Sequence, residues 1–139
     1  MDQGHDMMSG EELCNRILNM GGVMTIPEYQ QSILESRDSI IRGEQTTTDA
    51  LFKKLSDFEE SLQREDHPGY SERDTQEWEA WCDFIRGEVY EKMQEKDQAK
   101  EFFSKARDAY QQIMPIQESA DSTDIRGICD AIQKRIDSL

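Results

Sequence analysis

The residues of this chain that could do chemistry are few, and their spacing does not favour catalysis. The two histidines are His5, near the start, and His67, just ahead of Pro68–Gly69. Neither stands in an HExxH or ExxH pattern, so neither a zinc hydrolase nor a di-iron bundle has its ligand set. Gly21–Gly22 lacks the Gly-Lys-Ser/Thr that follows in a phosphate-cradling loop. No Gly-x-Ser-x-Gly elbow presents a nucleophile. Cys82 could in principle pair with His67, but Cys82 falls on an apolar helical face, where a thiol serves as core. Glu59 and Glu60 are consecutive, so on a helix they diverge by about 100° and face water. Asp121 to Gly127 echoes a calcium loop without its closing Glu. The chain is therefore not expected to be an enzyme, and no cofactor or metal is expected.

The better candidate is a surface. Trp81, Phe84, Glu88 and Glu91 recur at i, i+3, i+7 and i+10, which places them on one side of a helix. Aromatic anchors rimmed by charge suit a site for a helical or extended peptide. The competing reading is that Trp81 and Phe84 pack against the preceding helix. If the four form a surface, reversing the charge of Glu88 and Glu91 should spare stability to within about 1 kcal/mol.

Charge narrows the partner. Thirty acidic residues against 16 Lys and Arg leave a net charge of −14 over 139 residues. A nucleic-acid backbone or an anionic membrane surface calls for clustered Lys and Arg. The acidic balance suits a basic or amphipathic protein segment instead, or serves solubility alone. Cys14, Cys82 and Cys129 are odd in number and far apart, which implies reduced core thiols and a cytoplasmic protein. No apolar run reaches transmembrane length, and residues 1–8 lack a signal-peptide core.

Helices must position the candidate surface, and apolar periodicity places about six of them. Residues 1–8 read as a mobile tail. Ser9 and Glu12 form a capping box for a first helix, with Leu13, Ile17 and Met20 as its stripe and Gly21–Gly22 as its stop. Thr25 and Glu28 cap a second, with Pro27 in the first turn, Ile33 and Ile40 on the buried face and Gly43 as stop. These two make an N-terminal hairpin over 9–44. Leu51, Leu55, Phe58 and Leu62 form the cleanest stripe, on a helix starting at Thr48 or Asp49. His67–Pro68–Gly69 ends it, and Ser71 with Asp74 caps the next.

That next helix carries Trp78, Trp81, Cys82, Ile85, Val89 and Met93 on one side. Its successor carries Phe102, Phe103, Ala106, Ala109, Tyr110 and Ile113. The short polar link 94–98 folds them back antiparallel, with Asp97 as the N-cap of the second. A final helix from Asp121 or Ser122 has Ile125, Ile128, Cys129, Ile132, Ile136 and Leu139 as its stripe. No strand-like alternation competes, so the expectation is an all-α bundle or short solenoid, with residues 45–139 packed on the N-terminal hairpin as one domain.

Within the central hairpin, around residues 80–113, Gly87-x-x-Tyr90, Ala99, Phe103 and Ala106 stand at tetratricopeptide-repeat spacings. The segment resembles one such repeat, of about 34 residues. Asp83 and Arg86 stand where that family usually has Trp and Leu, and Gln111 where it has Pro. The resemblance implies that the first helix of the hairpin lines a peptide groove, and Trp81, Phe84, Glu88 and Glu91 match the groove-facing positions. Glu88 and Glu91 would repel a carboxylate, so the expected ligand is basic or amphipathic. Its expected role is that of an acidic adaptor. The alternatives are self-association of the last helix across a two-fold axis and an acidic nucleic-acid mimic that blocks a nucleic-acid-binding protein.

Overall fold

The structure is a computed structural model that describes residues 10, 13, 27–43, 47–63, 72–113 and 121–139. Five helices account for nearly all of these: α1 Pro27–Ile41, α2 Thr48–Gln63, α3 Glu72–Lys92, α4 Lys96–Ile113 and α5 Asp121–Asp137. The fold is all-α, with no strand among the described residues. Of the helix expected from Ser9, only Gly10 and Leu13 are described, and both are helical and buried. Its other residues, its capping box and the caps at Thr25 and Ser71 lie outside the described residues, as does the His67–Pro68–Gly69 turn.

The helix ends follow from local chemistry. Thr47 caps α2, accepting a hydrogen bond at Oγ1 from the Ala50 N–H (3.2 Å). Gly43 ends α1 with a φ of 80°. The α3–α4 turn ends differently. Glu95 N–H donates to Tyr90 O (2.9 Å) and Gln94 N–H to Glu91 O (3.0 Å), the bonds of a Schellman ending. That ending needs a left-handed residue, and here it is Gln94, with a φ of 65°. The turn is tight, so α4 starts earlier than its composition suggests. Ala99 N–H donates to Glu95 O (3.0 Å), which makes Glu95 the capping residue and moves Asp97 into the first turn. An acidic side chain there still complements the helix dipole. Met93, expected on the buried stripe, is carried out by the same turn and is 42% exposed.

The helix α3 is the hub. It packs most extensively on α4 and also on α1 and α2, while α5 packs on α4 and α1 on α2. The stripes account for this. Leu51, Leu55, Phe58 and Leu62 of α2 are all buried, and so are Ile33 and Ile40 of α1 and Ile128, Cys129 and Ile132 of α5. Phe58 meets Trp78 and Trp81 edge-on, each at 6.0 Å, and the two indoles meet at 5.3 Å. Such edge-to-face pairs add about 0.5–1.5 kcal/mol each beyond simple burial. Toward α4, Phe84 and Phe103 pack at 5.2 Å. Gly87 lets α4 come this close: a Cβ there would lie 2.7 Å from Phe103 Cδ1. A glycine inside a helix costs about 1 kcal/mol against Ala, and the close packing of Phe103 offsets it.

The left-handed Gln94 generates a prediction. Gln94→Gly should raise unfolding free energy by about 0.5–1 kcal/mol, because glycine adopts positive φ without the Cβ clash. Urea unfolding of the two proteins checks it. A decrease would show that Gln94 is not strained in this turn.

Candidate functional site

The four expected site residues share one side of α3, and their neighbours decide their fate. Trp81 is fully buried. Its Nε1–H donates to Gly10 O (2.9 Å), and its ring packs on Phe58 and Trp78. Phe84 is also fully buried, against Phe103. Neither ring offers a free face to a ligand in this conformation. Glu88, expected at the rim, is 1% exposed. Only Glu91 reaches solvent, with 29% of its side chain exposed. Spacing correctly put the four on one side of the helix. That side is covered because α2, α4, α5 and Gly10 all close on it.

Glu88 is held by two arginines from different helices. Arg37 of α1 donates from Nε to Oε1 (2.8 Å) and from Nη2 to Oε2 (2.7 Å), a bidentate pair. Arg135 of α5 donates from Nη1 to Oε2 (3.2 Å) and from Nε to Glu91 Oε1 (3.0 Å). The Arg135 guanidinium also lies over two rings, 5.6 Å from the centre of Phe84 and 5.4 Å from that of Phe103. Arg37 reaches Asp38 as well. Burial works against the charged Arg37 guanidinium, but hydrogen bonds and charge from Glu88, then Asp38, more than offset it, so its pKa is raised. Gly10 backs onto this pair: a Cβ on it would lie 2.6 Å from Glu88 Oε1 and 3.1 Å from Arg37 Nε.

Beside the network opens a cleft of about 350 Å3, lined by Ile41, Glu88, Glu91, Lys92, Gln94 and Arg135. Lys92 and Gln94 are exposed. The cleft therefore sits where the ends of α1 and α5 both face α3.

A second cluster lies between α2 and α3. Arg86 donates to Glu59 from Nη2 (2.7 Å) and Nη1 (3.0 Å), and from Nη1 to Asp83 (3.1 Å). Asp83 and Arg86, the two departures from the repeat pattern, are partners here. Burial pushes the Asp83 carboxyl up to about 6, with Arg86 pulling it down and Glu59 pushing it further up. The Arg86 guanidinium is desolvated, yet Glu59 more than compensates and raises its pKa.

Among the described residues, no group of three or more His, Cys, Asp or Glu is arranged to hold a metal ion. Cys82 and Cys129 are free and buried. Burial raises the Cys82 thiol well above its ordinary value and Cys129 to about 11, so neither is a ready nucleophile. No described helix is long and apolar enough to cross a membrane.

Sequence reasoning missed Arg37, Arg135 and the Glu59–Arg86 pair. A signal was present for the first two. Arg37 stands at i+4 from Ile33 and i−3 from Ile40, and Arg135 at i+3 from Ile132 and i−4 from Leu139. Each is a cation on an apolar stripe, and a buried charge needs a buried counter-charge. Glu88, on the stripe of α3, is that counter-charge.

The expectation that charge reversal at Glu88 and Glu91 would spare stability is corrected accordingly. Removing Glu88 takes the buried counter-charge from Arg37 and Arg135 and leaves them the more exposed Asp38 and Glu91 among the described residues, so Glu88→Ala should cost about 3–5 kcal/mol. Glu91→Ala should cost under about 1 kcal/mol, since its pair is partly solvated. Denaturant unfolding separates the two, and equal small losses would show that Glu88 is not buried in solution.

The raised Asp83 carboxyl gives a pH dependence. The folded state binds this proton up to about pH 6, whereas an unfolded Asp releases it near pH 4 (roughly 3.9). Stability from this group is therefore full at acid pH and falls as pH rises through that window. Asp83→Asn removes the effect. The variant should gain about 1 kcal/mol over the wild type on going from pH 4 to pH 7. Thermal melts across that range check it, and a constant difference would refute it.

No family model, curated protein or solved structure matches this chain.

Proposed function

We propose that this chain is a small acidic adaptor that uses a tetratricopeptide-like hairpin, α3–α4, to bind a basic or amphipathic segment of another protein. The observation that carries the reading is the cleft beside α3, where Glu91 meets solvent next to Glu88 and the apolar Ile41. A net charge of −14 favours a cationic partner at longer range and speeds its encounter. The resemblance rests on Gly87, Tyr90, Ala99, Phe103 and Ala106, and the Gly87–Phe103 contact is the close approach which that pattern calls for. The charged groups of α3 pair with Arg37, Glu59 and Arg135 of the neighbouring helices and, through Arg86 and Asp83, with one another. Buried free thiols suit a reducing cytoplasm.

Capture of partners from a lysate by the wild type, beside a Glu91→Lys variant, tests this reading. The wild type should hold a protein with a Lys/Arg-rich segment and release it as salt rises. Glu91→Lys should weaken capture by about fivefold or more, equivalent to about 1 kcal/mol, while remaining folded. Equal capture by both proteins would reject the cleft, and capture of no basic protein would reject the reading.

A further inference from the structure

Arg135 is seated as a ligand would be. It stands in the last turn of α5 and reaches across to α3. Among the described residues, its guanidinium meets the carboxylates of Glu88 at 3.2 Å and Glu91 at 3.0 Å, and the ring faces of Phe84 at 5.6 Å and Phe103 at 5.4 Å. Carboxylates arranged for a fork of N–H donors, with aromatic faces for a flat cation, are the chemistry that selects arginine over lysine. The seat is open on one side, because the cleft of about 350 Å3 runs alongside it and Arg135 itself forms part of the wall.

The seat can also be vacated without stranding a buried charge. If Arg135 swings out, Glu88 keeps both of its hydrogen bonds from Arg37. The apolar residues that seat α5, Ile128, Cys129 and Ile132, stand one to two turns before Arg135 and are buried. A long side chain in a final helical turn can rotate into water, where it still complements the helix dipole. Phe84, Glu88 and Glu91, three of the four residues singled out by spacing, all touch this one guanidinium. The fourth, Trp81, bonds to Gly10.

We infer that Arg135 is a built-in ligand occupying a guanidinium-binding site formed by Phe84, Phe103, Glu88 and Glu91, and that an arginine from a partner's basic segment enters the cleft and replaces it. The inference rests on the basic-partner reading above. It adds the residue type the partner must present and the element, α5, that holds affinity down by competing for the same seat.

Fluorescence anisotropy with labelled oligoarginine and oligolysine peptides of equal length tests it. The proteins are the wild type, Arg135→Ala and Arg135→Ala/Glu91→Gln. Removing the internal competitor should tighten oligoarginine binding by about tenfold, as when a site occupied most of the time becomes free. Oligolysine should change far less, and the second substitution should abolish the gain. Equal affinity of oligoarginine for the wild type and Arg135→Ala would overturn the inference and leave the basic-partner reading standing. An equal gain for both peptides would overturn the guanidinium selectivity. Binding of neither peptide to either protein would overturn both readings. Should Arg135→Ala unfold, Arg135→Lys reads the same comparison. It keeps a cation but loses the fork, so oligoarginine should again tighten, by less.

Discussion

Glu88 carries a carboxylate into the interior of a helical bundle, and the surrounding architecture keeps that charge from being stranded. An isolated ion in such a place would cost several kcal/mol even after relaxation. Two guanidinium groups answer it, Arg37 from α1 and Arg135 from α5, on helices that pack on different neighbours. The helix α3 must therefore hold a fixed rotation and depth relative to both, because a carboxylate that slid by one turn would lose its partners. Gly10 closes over the pair with no space for a side chain. An ion pair of this kind contributes little net stability compared with apolar packing, but it penalises wrong packings heavily.

The aromatic core supplies the driving force that the ion network does not. Trp78, Trp81 and Phe58 form one cluster toward α2, while Phe84 and Phe103 form another toward α4. The helix α3 contributes rings to both, and its charged groups gather where Arg86 and Asp83 meet Glu59 and where Glu88 and Glu91 meet the arginines. This explains why its apolar residues are so numerous and its charged ones so often paired. It also explains the position of the cleft. The sides of α3 facing α2 and α4 are filled by rings, and the open space falls where α1 and α5 both end.

The five described helices, their order and most of their stripes were legible in the sequence. Leu51, Leu55, Phe58 and Leu62 announced the buried face of α2, and all four are buried. Gly43 and Thr48 marked real boundaries. The boundary between α3 and α4 was harder to read. Gln94 has no intrinsic taste for positive φ, so nothing in its identity announced the Schellman ending, and Asp97 was displaced from the cap as a result. The candidate site was legible as a helix face but not as an environment. Phe84, Glu88 and Glu91 do converge on one place, and what occupies it is Arg135, distant in sequence.

Periodicity is a property of one helix at a time, so the sequence alone determined which residues share a face, that the chain is all-α, and that α3 and α4 form a hairpin with a glycine facing the second helix. Whether a face is covered depends on which other helix lies over it, and that is a relation between segments tens of residues apart. Only the tertiary structure decided that Trp81 and Phe84 lie inside, that Glu88 is a buried counter-ion rather than a surface acid, and that Arg135 fills the seat beside the cleft. The physical reason is that desolvation and ion pairing act through space, whereas helix propensity and amphipathic spacing act along the chain.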